Sequence, residues 1–371
     1  MRRLSPLLRV PSARRIAAAA APVLFLTACG TASLSSTPVA DTTQAGTAQA
    51  GTAPAAGNPA SPSTTVPGAP NCPMFPSDNV WNTDISQLPV NKHSAAWMRS
   101  MHASSLNLHP DFGPNPGGTP FGIPFNVVTN KHALIKVHFS QPSESNRAPY
   151  PFGSDIRIEP GDRHAIMINK DTCKLYELYL ASFSGGRASA YAGATWNLNS
   201  SHLRPNGWTS ADAAGLPILP GLLNYNQVKE AVQMHTPITH AIRFTAEPTR
   251  DAFIWPARHS AGSGSSASLP PMGARFRLKA SFSVTRFCSG GGLTCRSAKA
   301  ILTEMKHYGM ILADNGSDWF FQGSANPQWP DSLVEMLKRI PASAFEAVDE
   351  SCLKTSANSG QATAKPGCPI G

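Results

Sequence analysis

The stretch HAIMINKDTCKLYELYL, residues 164–180, decides the fold expected for this chain of 371 residues. Two runs rich in aliphatic and aromatic residues flank the polar segment 169–172, and this pattern predicts an antiparallel hairpin. Similar short runs recur along the chain and are separated by turns rich in proline and glycine. This organisation is typical of a mainly β domain, an antiparallel β-sandwich or jelly roll. Further strands are predicted at residues 122–128, 133–139, 190–198, 240–245, 252–255, 274–282 and 309–314.

A few helices are expected at the periphery of the sheets. The segment that ends at Tyr308 has apolar residues at helical spacing, and Gly309 follows it as a C-cap. The helices are predicted at residues 94–104, 225–234, 298–308 and 330–339. No internal repeat or second linker interrupts the sequence. One globular domain is therefore predicted over residues 72–352, followed by a tail at 353–371.

The N-terminal residues have the pattern of an export signal. Arginines precede an apolar run at residues 16–26, which is too short to span a bilayer. The segment 26–30, LTACG, resembles the lipobox of bacterial lipoproteins. The resemblance implies that residues 1–28 are a cleaved signal peptide and that lipid on Cys29 anchors the protein to a membrane. An ordinary secretory signal with an incidental cysteine is the alternative.

Residues 29–71 are predicted to be a disordered tether behind this anchor. They consist mainly of Ala, Thr, Ser, Pro and Gly, and such a segment cannot bury enough apolar surface to offset its ordering entropy. Gly30 stands where inner-membrane lipoproteins carry an aspartate. The protein is therefore expected on the extracytoplasmic side of the cell envelope, at the outer membrane if the organism has two membranes.

The charge of the chain gives no support for a nucleic-acid partner. The formal net charge is +9, but five of these charges are signal-peptide arginines, so cleavage leaves +4. The remaining basic residues are dispersed rather than clustered. The sequence also lacks a phosphate-binding glycine loop and a recognisable nucleic-acid motif.

The seven cysteines agree with lipidation and export. Without Cys29 an even number remains, which suits disulfides in an oxidising compartment, although the pairing stays open. The favoured pairs are Cys72–Cys173, Cys288–Cys295 and Cys352–Cys368. Zinc binding is the alternative, but no CxxC or HxxxH pair occurs, and we expect neither a metal nor a cofactor.

From residue 75 to residue 348 the chain resembles a group of secreted bacterial proteins that have no assigned activity. The resemblance rests on the segments 78–82 (DNVWN), 208–217 (WTSADAAGLP), 255–259 (WPARH) and 308–316 (YGMILADNG). It implies one domain over this whole region. It does not imply an activity.

The candidate site residues lie in and near two predicted hairpins. His164 and Glu177 are nearly opposite each other in the first, where side chains that share a face lie roughly 5 Å apart. The second predicted hairpin is flanked by His240, His259, Trp255 and Arg258. If the two hairpins are neighbours, a cluster of His, Glu and Arg lined by tryptophan results.

Such a cluster suits polysaccharide chemistry, because aromatic faces stack on sugar rings while carboxylates and histidines move protons. Hydrolysis needs two carboxylates, and we predict Glu177 with Asp212 or Asp162. Elimination in an acidic polysaccharide would instead use Arg258 to neutralise the uronate. The candidate bases for elimination are His240, His259 and Tyr179. The candidate substrate-binding residues are Trp208, Trp255 and Tyr179.

Three functions remain open at this level. They are a carbohydrate-active hydrolase or lyase, a non-catalytic glycan-binding module, and a structural or assembly lipoprotein that acts through a protein partner. Asp212 also has an ordinary role open to it, as a turn cap in its loop. Residues 314–318 resemble a calcium loop in their oxygen content, but Asn315-Gly316 favours a hairpin turn.

Overall fold

The computed structural model describes residues 64–363. The predicted signal peptide, Cys29, most of the predicted tether and Cys368 lie outside the described residues. Within residues 64–363 strand exceeds helix, which confirms the prediction of a β-rich fold with a few helices. No helix in this part of the chain has the length and apolar character needed to cross a bilayer.

The strands and helices follow one another along the described chain as separate short elements. The strands are β1 (Thr65–Val66), β2 (Ala69–Pro73), β3 (His109–Asp111), β4 (Phe125–Val128), β5 (Val137–Phe139), β6 (Ala165–Asn169), β7 (Lys174–Tyr179), β8 (Ser182–Ser184), β9 (Arg187–Ala190), β10 (Ala192–Asn197), β11 (Ile242–Ala246), β12 (Arg275–Leu278), β13 (Met310–Asn315), β14 (Phe320–Gln322) and β15 (Phe345–Ala347). The helices are α1 (Ser94–Ser100), α2 (Tyr225–Met234), α3 (Val284–Phe287), α4 (Leu293–His307) and α5 (Asp331–Leu337).

The larger sheets are mixed rather than antiparallel. One has the strand order β15-β12-β13-β11-β14-β3 and another the order β10-β7-β6-β4. In the first, β11 pairs in parallel with β13, and in the second, β4 pairs in parallel with β6. The expected antiparallel pairing is wrong for these strands, because long connections place strands that are distant in sequence side by side.

The hairpin predicted over residues 164–180 is present. β6 and β7 pair antiparallel, and every residue of β6 is buried because the sheet is covered on both faces. The register places Ile166, not His164, opposite Glu177. His164 precedes the strand and lies against Tyr179, with 5.5 Å between the ring centroids.

The second predicted hairpin is not formed. β11 has β13 and β14 as its neighbours, and residues 252–255 contribute only an isolated bridge between Phe253 and Met272. His240 and His259 therefore do not flank two paired strands, and the two histidines lie in different parts of the domain.

The folded region extends beyond the predicted limits at its N-terminal side. Val66 and Ala69 are buried in the β1–β2 hairpin, so the predicted tether is wrong for residues 64–71. Cys72 in β2 forms the predicted disulfide with Cys173. The second predicted disulfide, Cys288–Cys295, is also formed. Cys352 is disulfide-bonded as well, and its predicted partner Cys368 lies outside the described residues.

Residues 353–363, here called the C-terminal strap, pack onto the domain instead of forming a free tail. The Val80 amide donates to the Gly360 carbonyl over 2.8 Å, and the Leu203 amide donates to the Asn358 carbonyl over 3.0 Å. Leu353 is fully buried. The predicted domain boundary at residue 352 is thus too early.

Candidate functional site

A polar cavity of about 460 Å³ lies where the end of β7, the end of β13 and several loops meet. The titratable residues of its lining are Glu144, Asp162, Tyr179, Tyr191, Asp212, His259 and Asp314. Four of the residues proposed from sequence, Asp162, Tyr179, Asp212 and His259, are brought together here. No Lys or Arg occurs among the described residues that line the cavity.

Two aspartates of the cavity lining contact a buried arginine that lies behind them. Arg243 projects from β11, and its Nε and Nη2 atoms donate to the two carboxylate oxygens of Asp212 over 3.1 and 2.8 Å. The same Nη2 lies 3.7 Å from Oδ2 of Asp314 in β13. Two-pronged pairing of this kind fixes both the charge and the orientation of a carboxylate. Asp212 is therefore the member of the pair that Arg243 holds most closely.

Asp314 differs from Asp212 because it lacks a cation of its own. Burial, the negative charge of Asp212 and a hydrogen bond with Asp212 raise the pKa of Asp314 to about 8, against the attraction of Arg243. The protonated form of Asp314 is therefore favoured at neutral pH. Its side chain is 28% exposed, so this acid is accessible from the cavity.

His259 lies in the cavity wall with a defined tautomer. Its Nδ1 is 2.8 Å from the Ala213 carbonyl, which can only accept, so Nδ1 carries a proton. Its Nε2 lies 3.8 Å from Oε2 of Glu144. Glu144 is held in turn by the side chain of Gln141 and by the amide of Thr209. Both ring nitrogens of His259 thus face oxygen atoms, Nδ1 a backbone carbonyl and Nε2 a carboxylate.

The rim of the cavity contains strained backbone. Arg163 and Leu180 have φ values of 58° and 50°, in the left-handed region that non-glycine residues rarely adopt. They directly follow Asp162 and Tyr179, and the Leu180 amide donates to the Asp162 carbonyl over 3.3 Å. Backbone strain of this kind is common at functional sites, where the surrounding structure maintains it and so positions particular side chains.

Two tyrosines, Tyr179 and Tyr191, form the aromatic part of the cavity lining. The rings of Tyr179 and Tyr191 meet edge to face, with 5.8 Å between their centroids, and 43% of Tyr191 is exposed. Burial, together with the charges of Asp162 and Asp314, raises the pKa of the Tyr179 phenol. Tyr179 is therefore poorly suited to the role of base that we predicted for it, but it remains suited to contact with a substrate.

His164 lies directly behind the cavity wall. Its Nδ1 pairs with the Glu159 carboxylate, and its Nε2 is 3.1 Å from the carbonyl of Ala211, a residue of the cavity lining. Burial alone would lower the pKa of His164, but the hydrogen bond and the charge of Glu159 raise it. Both ring nitrogens thus hold the His164 ring in place behind the wall, and the Glu159 carboxylate favours its protonated form.

Glu177, which we predicted as a catalytic carboxylate, is buried against backbone amides. Its carboxylate accepts from the amide of Ile218 over 2.9 and 3.0 Å and from the amide of Leu219 over 2.9 Å. Burial raises the pKa of Glu177 to about 7, although these hydrogen bonds oppose the rise. Glu177 does not line the cavity, and its contacts tie the loop before α2 to the four-stranded sheet.

Three other predicted residues support the C-terminal strap or its surroundings. Arg258 donates to the carbonyls of Arg204 and Ala357 and to the side chain of Asn358. The indole N–H of Trp255 donates to the Ser359 carbonyl over 2.8 Å. Trp208 packs against the Arg204 guanidinium. None of these three side chains lines the cavity, and their predicted roles in substrate binding and catalysis stay predictions.

His240 is not part of the cavity lining. Its ring is buried against Gln227 of α2 and Glu304 of α4.

The residues that sequence reasoning missed are Glu144, Tyr191, Arg243 and Asp314. Asp314 follows an apolar run and begins the polar segment DNGS. This pattern predicts the end of a strand, but it does not predict which residues Asp314 contacts. The other three carry no local signal, since they approach the cavity only through pairing of distant strands and loops.

Among residues 64–363 no three His, Cys, Asp or Glu side chains converge as a set of metal ligands. Comparison with known protein families, curated proteins and solved structures gives no significant match to this chain. The function is therefore argued from the geometry of the cavity.

Proposed function

We propose that this protein is a glycan hydrolase that cleaves glycosidic bonds by acid–base catalysis in the polar cavity. The observation that carries the proposal is the arrangement of two carboxylates and an imidazole in one cavity: Asp212 receives both prongs of Arg243, Asp314 lies 3.7 Å from the same guanidinium and is open to the cavity, and His259 lies in the wall. Two titratable groups with separated roles are the requirement for this reaction.

Each group has a defined step. Asp314 donates its proton to the glycosidic oxygen as the bond to the anomeric carbon breaks. A water molecule attacks that carbon and loses its proton to Nε2 of His259, while the Glu144 carboxylate stabilises the resulting imidazolium. The charge of Asp212 favours the protonated form of Asp314 before the reaction, and the Arg243 guanidinium stabilises the Asp314 carboxylate that remains afterwards.

The substrate is proposed to be a neutral or amino-bearing polysaccharide. The carboxylates of Glu144 and Asp162 face the cavity, and no Lys or Arg lines it, so a uronate chain would meet repulsion there. For the same reason elimination in an acidic polysaccharide is the weaker proposal, because Arg258, its predicted cation, is committed to the C-terminal strap. The exposed ring of Tyr191 offers a stacking surface for a sugar.

The experiment is a glycan screen of the mature chain lacking the lipidated cysteine. We expect new reducing ends from neutral or amino polysaccharides and no unsaturated ends. Asp314→Asn should lower the rate at least about 100-fold, a typical loss for general acid catalysis. Asp155→Asn, an exposed carboxylate that pairs only with His132, should retain full activity.

Two results would overturn this proposal. Full activity of Asp314→Asn would remove the acid, and unsaturated products would show an elimination instead. Binding of glycans without any product, equal in the wild type and in Asp314→Asn, would favour the non-catalytic glycan-binding module.

We further propose that the protein is an envelope lipoprotein, supported by the lipobox-like segment that ends at Cys29. Cys29→Ser should abolish labelling by a radioactive fatty acid and release the protein from the membrane fraction. Retention of label in this variant would contradict lipidation at Cys29.

A further inference from the structure

A second group of polar side chains is buried near the start of β11 and has no role in the proposed mechanism. His240 precedes β11, Gln227 lies in α2 and Glu304 lies in α4, and α2 packs against α4. The side chains of His240 and Glu304 are 1% and 0% exposed. Nε2 of His240 lies 3.3 Å from Oε1 of Gln227 and 3.6 Å from Oε1 of Glu304.

The backbone determines which ring nitrogen of His240 carries the proton. Nδ1 lies 3.0 Å from the Ala241 carbonyl, so Nδ1 is the donor and Nε2 presents a lone pair to the interior. This lone pair faces two oxygen atoms that are also electron donors. Histidines that bind metal ions have their second nitrogen fixed in the same manner, by a backbone carbonyl or a carboxylate.

Glu304 is the member of the group whose burial needs an explanation. Within the described chain, neither carboxylate oxygen has a hydrogen-bond partner, and the amide nitrogen of Gln227 has none. An unpaired buried carboxylate costs several kcal/mol or more, which is why such groups are paired or bind metal ions. A proton on Glu304 would remove the charge but would leave both oxygens unpaired. Turning the Gln227 amide around would give His240 a donor and still leave Glu304 without one.

The distances fit one cation among these three side chains. Zinc bonds to nitrogen and oxygen ligands are about 2.0–2.2 Å long, so neighbouring ligands of a tetrahedral site lie about 3.3–3.6 Å apart. The separations from Nε2 to the two oxygens fall at these values. Imidazole with carboxylate and amide oxygen is a donor set suited to Zn²⁺ rather than to Ca²⁺, which prefers oxygen alone.

We propose that His240, Glu304 and Gln227 form a tetrahedral zinc site, with a water molecule as the fourth ligand. Gln227 also lines an open cavity of about 270 Å³ with Thr65 and Thr239, which provides the path for entry of the ion. The bound ion would tie α2, α4 and the start of β11 together. This role is structural and independent of the proposed hydrolase activity.

The test uses the mature chain, freed of metal by dialysis against EDTA and then incubated with Zn²⁺ or Co²⁺. After gel filtration we expect one equivalent of zinc per chain, a rise of several degrees in melting temperature, and the visible absorption of four-coordinate Co²⁺. Glu304→Gln and His240→Gln should lose the bound metal. His102→Gln, which alters an exposed histidine, should keep it.

Absence of stoichiometric zinc in the wild type would overturn the proposal, as would equal zinc in Glu304→Gln. If His240→Gln does not fold, X-ray absorption of the zinc-loaded wild type decides the matter. A shell of four nitrogen and oxygen ligands that includes a single imidazole supports the site, and sulfur ligands or several imidazoles would place the zinc elsewhere.

Discussion

Asp212 and Asp314 show how two identical residues acquire different chemistry in one cavity. Asp212 receives both prongs of Arg243, whereas Asp314 meets only the nearer edge of that guanidinium at 3.7 Å. The charge on Asp212 then works against ionisation of its neighbour. Burial and the charge of Asp212 therefore raise the pKa of Asp314, while the more distant Arg243 opposes the rise.

This difference predicts the alkaline limit of the activity. Asp314 must be protonated to donate, and its pKa is raised to about 8, so kcat/KM should fall about tenfold per pH unit above that value. Asp212→Asn removes the charge that raises this pKa and should move the limit to lower pH. A pH–rate profile of both proteins measures the shift, and an unchanged limit in Asp212→Asn would contradict the assignment of Asp314 as the acid.

Glu177 predicts a pH dependence of stability rather than of activity. Its pKa in the folded protein is about 7, above the ordinary 4.5, so the folded state binds this proton more tightly than the unfolded state. The contribution of Glu177 to stability therefore declines as pH rises from about 4.5 through 7. Between pH 5 and pH 8 the wild type should lose about 2–3 kcal/mol more unfolding free energy than Glu177→Gln, which cannot ionise.

Urea unfolding at the two pH values provides this measurement. All other titratable groups are common to both proteins, so their contributions cancel in the comparison. Parallel losses in the wild type and in Glu177→Gln would show that Glu177 is not the group that titrates.

At the scale of elements, Arg258 holds the C-terminal strap. Its guanidinium donates to Ala357 and Asn358 over 2.6 and 2.9 Å and to the Arg204 carbonyl over 2.7 Å. Arg258→Ala should therefore destabilise the protein by about 1–3 kcal/mol, since it removes three hydrogen bonds and leaves the buried Arg204 carbonyl unpaired. Trypsin should also cleave sooner after Lys354, which lies in the strap.

The control variant for this experiment is Arg286→Ala, which alters an exposed arginine in α3. Mass analysis of the reduced digests gives the rate of cleavage at Lys354 in each protein. Equal rates in the wild type and in Arg258→Ala would show that the strap is held by other contacts.

Local patterns in the sequence were enough to predict individual elements. The hairpin of β6 and β7 and the helix over residues 225–234 follow from apolar spacing and turn residues within short windows. The pairing of β11 with β13 could not be predicted in this way, because a long segment with two helices separates them. Parallel neighbours of this kind are chosen by packing of the whole domain.

The same distinction explains the partial prediction of the site. Asp162 and Tyr179 adjoin the β6–β7 hairpin, so the sequence places them near each other, and both line the cavity. Asp314 reaches the cavity only because β13 lies beside β11, and Glu144 comes from a distant turn. A two-residue difference from the expected hairpin register also makes Tyr179, rather than Glu177, the neighbour of His164.

For the whole molecule, the two described disulfides should contribute unequally. Cys72–Cys173 closes a loop across a sequence separation of 101, and Cys288–Cys295 closes one across 7. In the chain-entropy model these loops correspond to about 4.7 and about 2.5 kcal/mol. Cys72→Ala with Cys173→Ala should thus lower the unfolding free energy by about 2 kcal/mol more than the corresponding change at Cys288 and Cys295. Chemical unfolding of both double variants checks this, and a larger loss at the short loop would contradict it.

The C-terminal strap also has a consequence for the order in which the protein can be completed during synthesis. The side chain of Gln361 donates to Asp78 over 2.7 Å across a separation of 283 positions, and Gly360 accepts from Val80. The ribosome makes residues 78–80 early and residues 360–361 near the end of the described chain. A nascent chain that stops before the strap leaves the Val80 amide without its acceptor and leaves Arg258 with only the Arg204 carbonyl of its three partners. Closure of the domain is therefore a late event of biosynthesis, and ribosome-bound chains truncated before residue 357 should remain open to protease.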